Sequence, residues 1–322
     1  MPLANFPNGF RGAIHLAGFP VLSTYATSAG PTNPSNAGVW FVDSSTGLDG
    51  NKGDSWYQPL ATIQGAFTKA NAGDIIMVKQ GHAETISSAT AAAWNIANVQ
   101  IIGMGLASQR PTITLDTANT ATITVSKAGI SVTNCIFVAN FLNIASLFTL
   151  TTAKGFTMNR CEVRDTSAIL NFLAIVTTSA TSNANDDLMI TDNKIFLAAA
   201  SGVVCLLSAL GTHARPTIQY NYYTSKTVGA GAVIPIATGK ILTDALIIGN
   251  IFNLTNVSSD TAGILVSTDG STNTGYVDGN KTQALDATTP ILATASSGLV
   301  FGLNYYTHTA DKSGYLVPAA DS

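Results

Sequence analysis

The sequence predicts an all-β chain: a single-stranded, right-handed parallel β-helix (a solenoid) with an N-terminal helical cap and an extended N-terminal arm. Two observations carry that expectation. From about residue 99 the pattern apolar-x-x-Asn-x-apolar recurs at Asn134, Asn159, Asn193, Asn221, Asn250, Asn280 and Asn304. The spacings are 25, 34, 28, 29, 30 and 24 residues, inside the solenoid range of roughly 20–50. Ahead of the repeats, a Gly- and Asp-rich loop leads into a short amphipathic stripe suited to plug the open end of a stack. The chain then divides into an arm at 1–37, a cap at 38–98, coils at 99–308 and a C-terminal tail at 309–322.

The arm holds Pro2, Pro7, Pro20, Pro31 and Pro34 with several glycines, and its single charge is Arg11. Prolines and glycines at this density oppose both helix and central strand. Phe6, Phe10, Ile14, Leu16, Phe19, Val21 and Leu22 nevertheless make it too apolar for a solvated tail. An extended segment lying on another surface satisfies both facts. Phe6, Phe10, Arg11, Ile14, Leu16 and Phe19 are the residues expected to make that contact. The surface is a neighbouring subunit, a capsid, or the flank of the chain's own β-helix.

The cap begins with the strand pattern Val39–Asp43 and a loop through Asp54. Pro59 to Ala72 reads as a short helix, because Leu60, Ile63, Ala66, Phe67 and Ala70 form one apolar stripe and Gly73 supplies the stop. Asp74–Val78 follows as a strand and Lys79–Gly81 as a turn. The ordered residues Val42, Asp43, Gly47, Asp49, Asn51, Gly53, then Pro59, Thr62, Ile63, Gln64, Ala66, then Gly73, Asp74, Ile76, Val78, Gly81 resemble the N-terminal cap of pectin-lyase-like β-helix proteins. The resemblance covers about 40 residues and implies the fold. It leaves activity open, since lyases, hydrolases, spikes and inert viral proteins share such caps.

In the coils each repeat must turn sharply between two short strands. Asn tolerates the left-handed backbone that such a turn requires. Stacked once per coil, the seven amides are expected to form a hydrogen-bonded ladder. Three residues before each Asn stand Ser131, Phe156, Ile190, Ile218, Ile247, Val277 and Phe301. Two after stand Ile136, Cys161, Ile195, Tyr223, Phe252, Thr282 and Tyr306. Ser131 and Thr282 apart, these flanking residues are apolar or of buried type and are expected to point inward.

Composition narrows the function. Of the 322 residues 46% are hydrophobic and only 10% charged, against a usual ~25% charged. Either a partner covers part of the outer surface, or neutral Thr, Ser and Asn ladders solvate it. The formal net charge is −3 and the basic residues are scattered singly, which argues against a nucleic-acid partner. The longest apolar runs, such as Ile75–Val78 and Val203–Leu207, are too short to span a membrane. The N-terminal stretch MPLANFPNGFRGAIHLAGFPVL lacks a signal-peptide pattern. Cys135, Cys161 and Cys205 fit no metal spacing and read as reduced, buried thiols of a protein made in the cytoplasm.

Catalytic candidates are sparse, and no catalytic residue, cofactor or metal site is expected. Glycoside hydrolysis needs two carboxylates about 5–10 Å apart, and the chain has two glutamates, Glu84 and Glu162. Asp186, Asp187 and Asp192 form the one acidic cluster of the coils, near Lys194, read either as a carboxylate site for calcium or sugar or as a polar turn. Arg160, Glu162, Arg164 and Asp165 make the most charged strand, with the first three on one face. Asp43, Asp49, Asn51 and Asp54 offer oxygen ligands in the cap loop without an EF-hand spacing. His82 and Glu84 read as capping polar groups. Tyr220, Tyr222, Tyr223, Tyr305 and Tyr306 supply coil aromatics, which leaves a glycan open as a ligand.

The leader MPLANFPNGF, the apolar arm and the capped repeat together resemble tailed-phage proteins encoded near capsid genes. That resemblance implies a virion component made in the host cytoplasm. It implies a capsid decoration or head spike bound through its arm to the major capsid protein or another virion protein, and assembled as a homotrimer. Two alternatives stay open: a tail spike or fibre that binds or depolymerises host glycans, and a free polysaccharide lyase or hydrolase.

Overall fold

In the computed structural model, residues 38–199, 204–225, 233–254, 273–282 and 298–305 are described in full. The backbone is also described for the strands Ile14–Leu16, Phe19–Leu22, Gly263–Ser267, Lys281–Ala284, Ile291–Thr294, Asn304–His308 and Asp311–Val317. The fold is a parallel β-helix, as the sequence predicts. Each coil contributes one strand in turn to three faces, here numbered sheets 1 to 3.

Sheet 1 has ten strands, running from Val39–Val42 through Ile75–Val78 and Gln100–Gly103 to Gly298–Phe301. A second ten-stranded sheet, sheet 2, runs from Ala83–Ile86 and Thr112–Leu115 to Asn304–His308, where Asp311–Val317 closes it antiparallel. Sheet 3 stacks Ala92–Trp94, Ile123–Val125, Phe148–Leu150, Ala174–Thr177 and Cys205–Ser208. The later coils continue this side with Ile234–Ile236, Gly263–Ser267 and Ile291–Thr294. Within the arm, Ile14–Leu16 and Phe19–Leu22 pair as an antiparallel hairpin in which His15 faces Pro20. That hairpin departs from a wholly extended arm. A two-stranded ribbon leaves each strand one free edge, where a proline without an N–H is tolerated.

Parallel, in-register stacking places like residues on like. Ile76, Ile101, Val132, Met158, Ile190, Ile218, Ile247 and Val277 form one fully buried column. Ile113, Phe137, Val163, Ile195, Tyr223 and Phe252 form the column facing it from sheet 2. Each such side chain contributes roughly 1.5–3 kcal/mol of burial. Under the cap, Phe67 stacks on Trp94 at 5.7 Å, and Trp94 meets Phe148 at 5.5 Å.

The cap helix is shorter than the stripe suggests, spanning Ile63–Phe67, and Leu60 instead bridges to Val42. The stripe residues are all buried regardless. Thr62 caps the helix by accepting from Gly65 N at 2.8 Å. The Gln64 side-chain Oε1 accepts from Ala93 N at 2.7 Å, so the helix also covers the exposed edge of sheet 3.

The turn from sheet 1 to sheet 2 corrects the expected ladder. The left-handed residue is the one before the ladder position: Asn134, Arg160, Asp192, Tyr220, Gly249 and Gly279, with φ between 52° and 66°. The next residue points inward, and in successive coils it is Cys135, Cys161, Asn193, Asn221, Asn250, Asn280 and Asn304. Asn193, Asn221, Asn250 and Asn280 each donate from Nδ2 to the Oδ1 of the following ladder Asn at 2.9–3.0 Å. Their backbone N–H groups reach the same oxygen at 3.0–3.1 Å. Each second Nδ2 proton goes to a carbonyl of the preceding coil, on Met158, Ile190, Ile218 and Ile247. Asn134 and Asn159 do not join. Asn134 bonds the Gly103 and Gly105 carbonyls, and Asn159, two places early, bonds Thr191. The ladder's first two rungs are thiols.

Candidate functional site

The polar groups singled out in the sequence turn out to be occupied in holding the backbone. In the cap loop Asp43 is buried and accepts from Ser45, Thr46 and Lys79, the last at 2.6 Å. Burial pushes its pKa up, but Lys79, Ser45 and Thr46 outweigh that and hold it well below the usual carboxylate range. Asp49 accepts from the N–H groups of Ala61 and Thr62 and from the Thr62 hydroxyl. Asn51 donates to the Pro59 carbonyl, and Asp54 is exposed. Gly47 lies so close to the chain that a Cβ would stand 2.3 Å from the Asp43 and Leu60 carbonyl oxygens. Ser44 N donates to His82 Nδ1 at 3.0 Å, so Nε2 carries the proton and donates to Glu84 at 3.2 Å. Glu84 also takes Ile63 N at the start of the cap helix. Among the described residues no cluster of His, Cys, Asp and Glu has a metal-binding arrangement.

The acidic trio is split by its own strand. Asp186 is buried and accepts from Ala214 N at 2.9 Å and from Lys154 at 3.3 Å. Asp187 is left-handed and forms a two-pronged pair with Arg215 at 2.6 and 2.9 Å, which lowers its pKa. Asp192 lies beyond the strand Met189–Thr191, in the opposite turn, and accepts from Asn159 at 3.2 Å. The strand Met189–Thr191, flanked by left-handed Asp187 and Asp192, thus sets Asp192 in a different turn from Asp186 and Asp187. The charged strand is also partitioned. Glu162 pairs with Arg110 and, at 3.6 Å, with Arg164. Arg160 sits in the left-handed turn before the strand. Asp165 occupies an inward position and accepts from Phe172 N and Ala198 N at 3.0 and 2.8 Å. Burial raises its pKa to about 7. The three cysteines are buried and free, and burial pushes Cys161 and Cys205 up to about 12.

Of the arm contacts, Phe6, Phe10 and Arg11 lie outside the described residues, and Ile14, Leu16 and Phe19 are placed by backbone in the hairpin. Tyr223 is buried, whereas Tyr220, Tyr222 and Tyr305 are exposed. No helix among the described residues is long and apolar enough to cross a membrane.

A concave feature among the described residues lies on the outer face of sheet 2. An open groove of about 510 Å³ is lined there by Tyr222, Ile251, Asn253, Lys281 and Tyr305. Tyr222 is 36% exposed, Ile251 41% and Tyr305 45%, and Phe196 packs beside Tyr222 at 5.8 Å. Cross-strand register puts Glu162, Lys194, Tyr222, Ile251, Lys281 and Tyr305 on consecutive rungs of one outward column. Ile251 and Lys281 were not singled out in the sequence, and Lys194 only as a neighbour of the acidic trio. A signal was present: the last five rungs each follow a ladder Asn, and the residue after an inward one must point out.

No protein-family model matches the chain, and no curated protein matches it. Solved structures do. A rhamnogalacturonan lyase superposes with a TM-score of 0.50 at 10% identity, covering 84% of this chain and 74% of its own. A GH136 lacto-N-biosidase from Eubacterium ramulus covers 83% of this chain and 56% of its own, at 10% identity and a TM-score of 0.34. The first likeness shows the fold alone. The chain has the architecture of the pectin-lyase-like parallel β-helices.

Proposed function

We propose that this chain is a structural protein of a tailed-bacteriophage particle, a capsid decoration or head spike. Residues 1–37 hold it to the major capsid protein or another virion protein, and the β-helix stands outward, in a trimer. The observation that carries this reading is the commitment of the coil carboxylates. Asp165, Asp186, Asp187 and Glu162 each hold a turn, a strand or an arginine, which suits a durable scaffold better than a pair of carboxylates acting on a sugar. Gold-labelled antibody on purified particles tests it. Label spread over the head is the expected result, and deletion of residues 1–37 should abolish it. Absence of label from every particle would overturn it.

The groove on sheet 2 favours a second reading, a tail spike or fibre that meets host glycans. Exposed rings beside lysines are the groups that grip sugars, and the rhamnogalacturonan lyase of like fold is named for a polysaccharide. Label confined to the tail tip would select this reading. A free lyase or hydrolase would instead retain turnover after deletion of residues 1–37.

A further inference from the structure

We propose that the corner between sheets 1 and 2, over the coils of Asn193 to Asn304, is where a second copy of this chain packs alongside the first, parallel to it and at equal height. The inference deepens the proposed trimer and rests on that reading for the presence of neighbouring copies. It assigns the corner, the direction and the residues that pair.

The corner changes character along the axis. One outward column of sheet 1 reads Gln100, Ser131 and Thr157 in the early coils, then Met189, Thr217, Leu246, Tyr276 and Val300. Tyr276 is 56% exposed and Val300 53%. In the turn that forms the ridge, Tyr220 is 60% exposed and Leu303 59%. Beyond the ridge, Phe196, Tyr222, Ile251 and Tyr305 face outward from sheet 2. The two turns between Tyr220 and Leu303 hold Gly249 and Gly279 at left-handed positions, so the ridge there is bare backbone that another chain can approach closely. A Cβ at Gly249 would stand 2.6 Å from the Tyr220 ring, which lies across it. An exposed apolar strip of this extent marks an interaction surface.

Charge sets the partner and the direction. In the coil of Asn193, Asp192 leans to the sheet 1 side, where Asn159 donates to it, and Lys194 opens a strand of sheet 2. In the coil of Asn280, Asp278 closes a strand of sheet 1 and Lys281 opens one of sheet 2. Among the described residues none of these four has an ion-pair partner within 4.0 Å. Negative charge thus lies on one flank and positive on the other at the same height. The arrangement occurs twice, three rungs or about 14 Å apart, with Tyr222 and Ile251 between. Rotation about an axis parallel to the solenoid preserves height and sets the sheet 1 flank of one copy against the sheet 2 flank of the next. Asp192 then meets Lys194 of the partner subunit, and Asp278 meets Lys281 of the partner subunit. The apolar side chains fall between the charges, the apolar centre and polar rim of a protein interface. Stacking sheet 2 on sheet 2 about a perpendicular two-fold would bring lysine to lysine. The corner is complementary to itself, which points to a second copy rather than to an unrelated chain.

The test is sedimentation of the full chain across a dilution series. The wild type should self-associate. Ile251→Lys should weaken association about tenfold or more, and so should Asp278→Lys, which sets like charges together. Exchanging both charges, Asp278→Lys with Lys281→Asp, should recover most of the loss. These positions are exposed or half-buried, so an unchanged far-UV spectrum will show that each variant folds. Direction is read by mixing chains that carry Asp278→Cys with chains that carry Lys281→Cys and adding a short bis-maleimide. A covalent dimer should form, whereas Asp278→Cys mixed with Lys194→Cys, three rungs out of step, should give little. The native thiols are buried and stay out of the reaction. A monomeric wild type, unaltered association in both single variants, no recovery on exchange, or equal cross-linking of the two mixtures would overturn the proposal. Association that survives every variant would overturn the corner while leaving the trimer to another surface. Sedimentation uses free protein, so its outcome is separate from where antibody falls on a particle.

Discussion

Replacing Asn250 by alanine breaks the ladder at its centre, and the structure permits a worked magnitude. The change removes the donors to the Ile218 carbonyl and to Asn280 Oδ1. It also removes the acceptor for Asn221 N and Asn221 Nδ2. Asn221 is 1% exposed and Asn250 fully buried, so water cannot replace the lost oxygen. Two buried donors left unsatisfied cost about 1–3 kcal/mol each, giving ~2–6 kcal/mol for the substitution. Asn193→Ala is the internal comparison. The Asn193 Oδ1 accepts the Cys161 N–H, and its rung above is a thiol rather than an amide, so the loss should be about 1–3 kcal/mol. Urea unfolding of the full chain, followed by far-UV circular dichroism and by hydrogen exchange across residues 217–254, measures both. Exchange is needed because a long solenoid need not unfold in two states. Protection should fall most in the strands flanking Asn250. The reasoning is refuted if Asn250→Ala costs less than about 1 kcal/mol, or no more than Asn193→Ala.

The register itself predicts a stabilising change: Cys161→Asn places an amide where its Nδ2 meets Asn193 Oδ1 and the Val132 carbonyl, adding about 1 kcal/mol, while Asn159→Ala costs less than that. Matched urea midpoints decide, and the reverse order would restore the original alignment. Asp165 gives a pH dependence. Its folded pKa, about 7, lies above the unfolded value of about 3.9, so the folded state alone holds a proton between them. Its contribution is full below pH ~4 and falls as pH rises toward 7. Buried His213, lowered by burial, runs the opposite way below its unfolded value of about 6.5. The measurement is therefore the difference in pH slope between wild type and Asp165→Asn over pH 4–8; identical slopes would sink the assignment. Finally, Gly47→Ala drives a Cβ into two backbone carbonyls and should destabilise the cap by more than about 2 kcal/mol. Limited proteolysis would then cut near residues 43–62 in the variant before the wild type, and equal resistance would show that the loop can shift.

The columns were legible wherever the repeat is spelled in strong residues. Ile190, Ile218, Ile247 and Val277 before the Asn, with Ile195, Tyr223 and Phe252 after it, fall in the expected inward positions. Reading failed in the first two coils for a physical reason. The ladder site needs a small, buried, weakly polar side chain, and Cys135 and Cys161 meet that need without an amide. The left-handed site one place earlier is where Asn134 stands, so an alignment on asparagine slid by one residue and then by two at Asn159. Since strand side chains alternate, a slip of one exchanges inside for outside. The two slips are why Ile136 and Cys161 were aligned with Ile195, when the true partners are Phe137 and Val163. The arrangement of the candidate site was hidden for a related reason. Lys194 and Lys281 are 87 residues apart in sequence, and only the coil register places them on one stripe.

That separation also explains how such a chain divides its labour. Inward positions are bound by neighbours above and below, and a poor residue there costs burial and hydrogen bonds in three coils at once. Outward positions on sheet 2 are packed less tightly, so they tolerate Glu162, Lys194, Tyr222, Ile251, Lys281 and Tyr305 in succession on one regular backbone. The same ladder that fixes the rung spacing therefore fixes the spacing of whatever is displayed on it. Groups displayed on this face therefore stand at multiples of about 4.8 Å. Disturbing Asn221 or Asn250 should then displace the outward side chains of Tyr222 and Ile251, one residue away, before the chain unfolds.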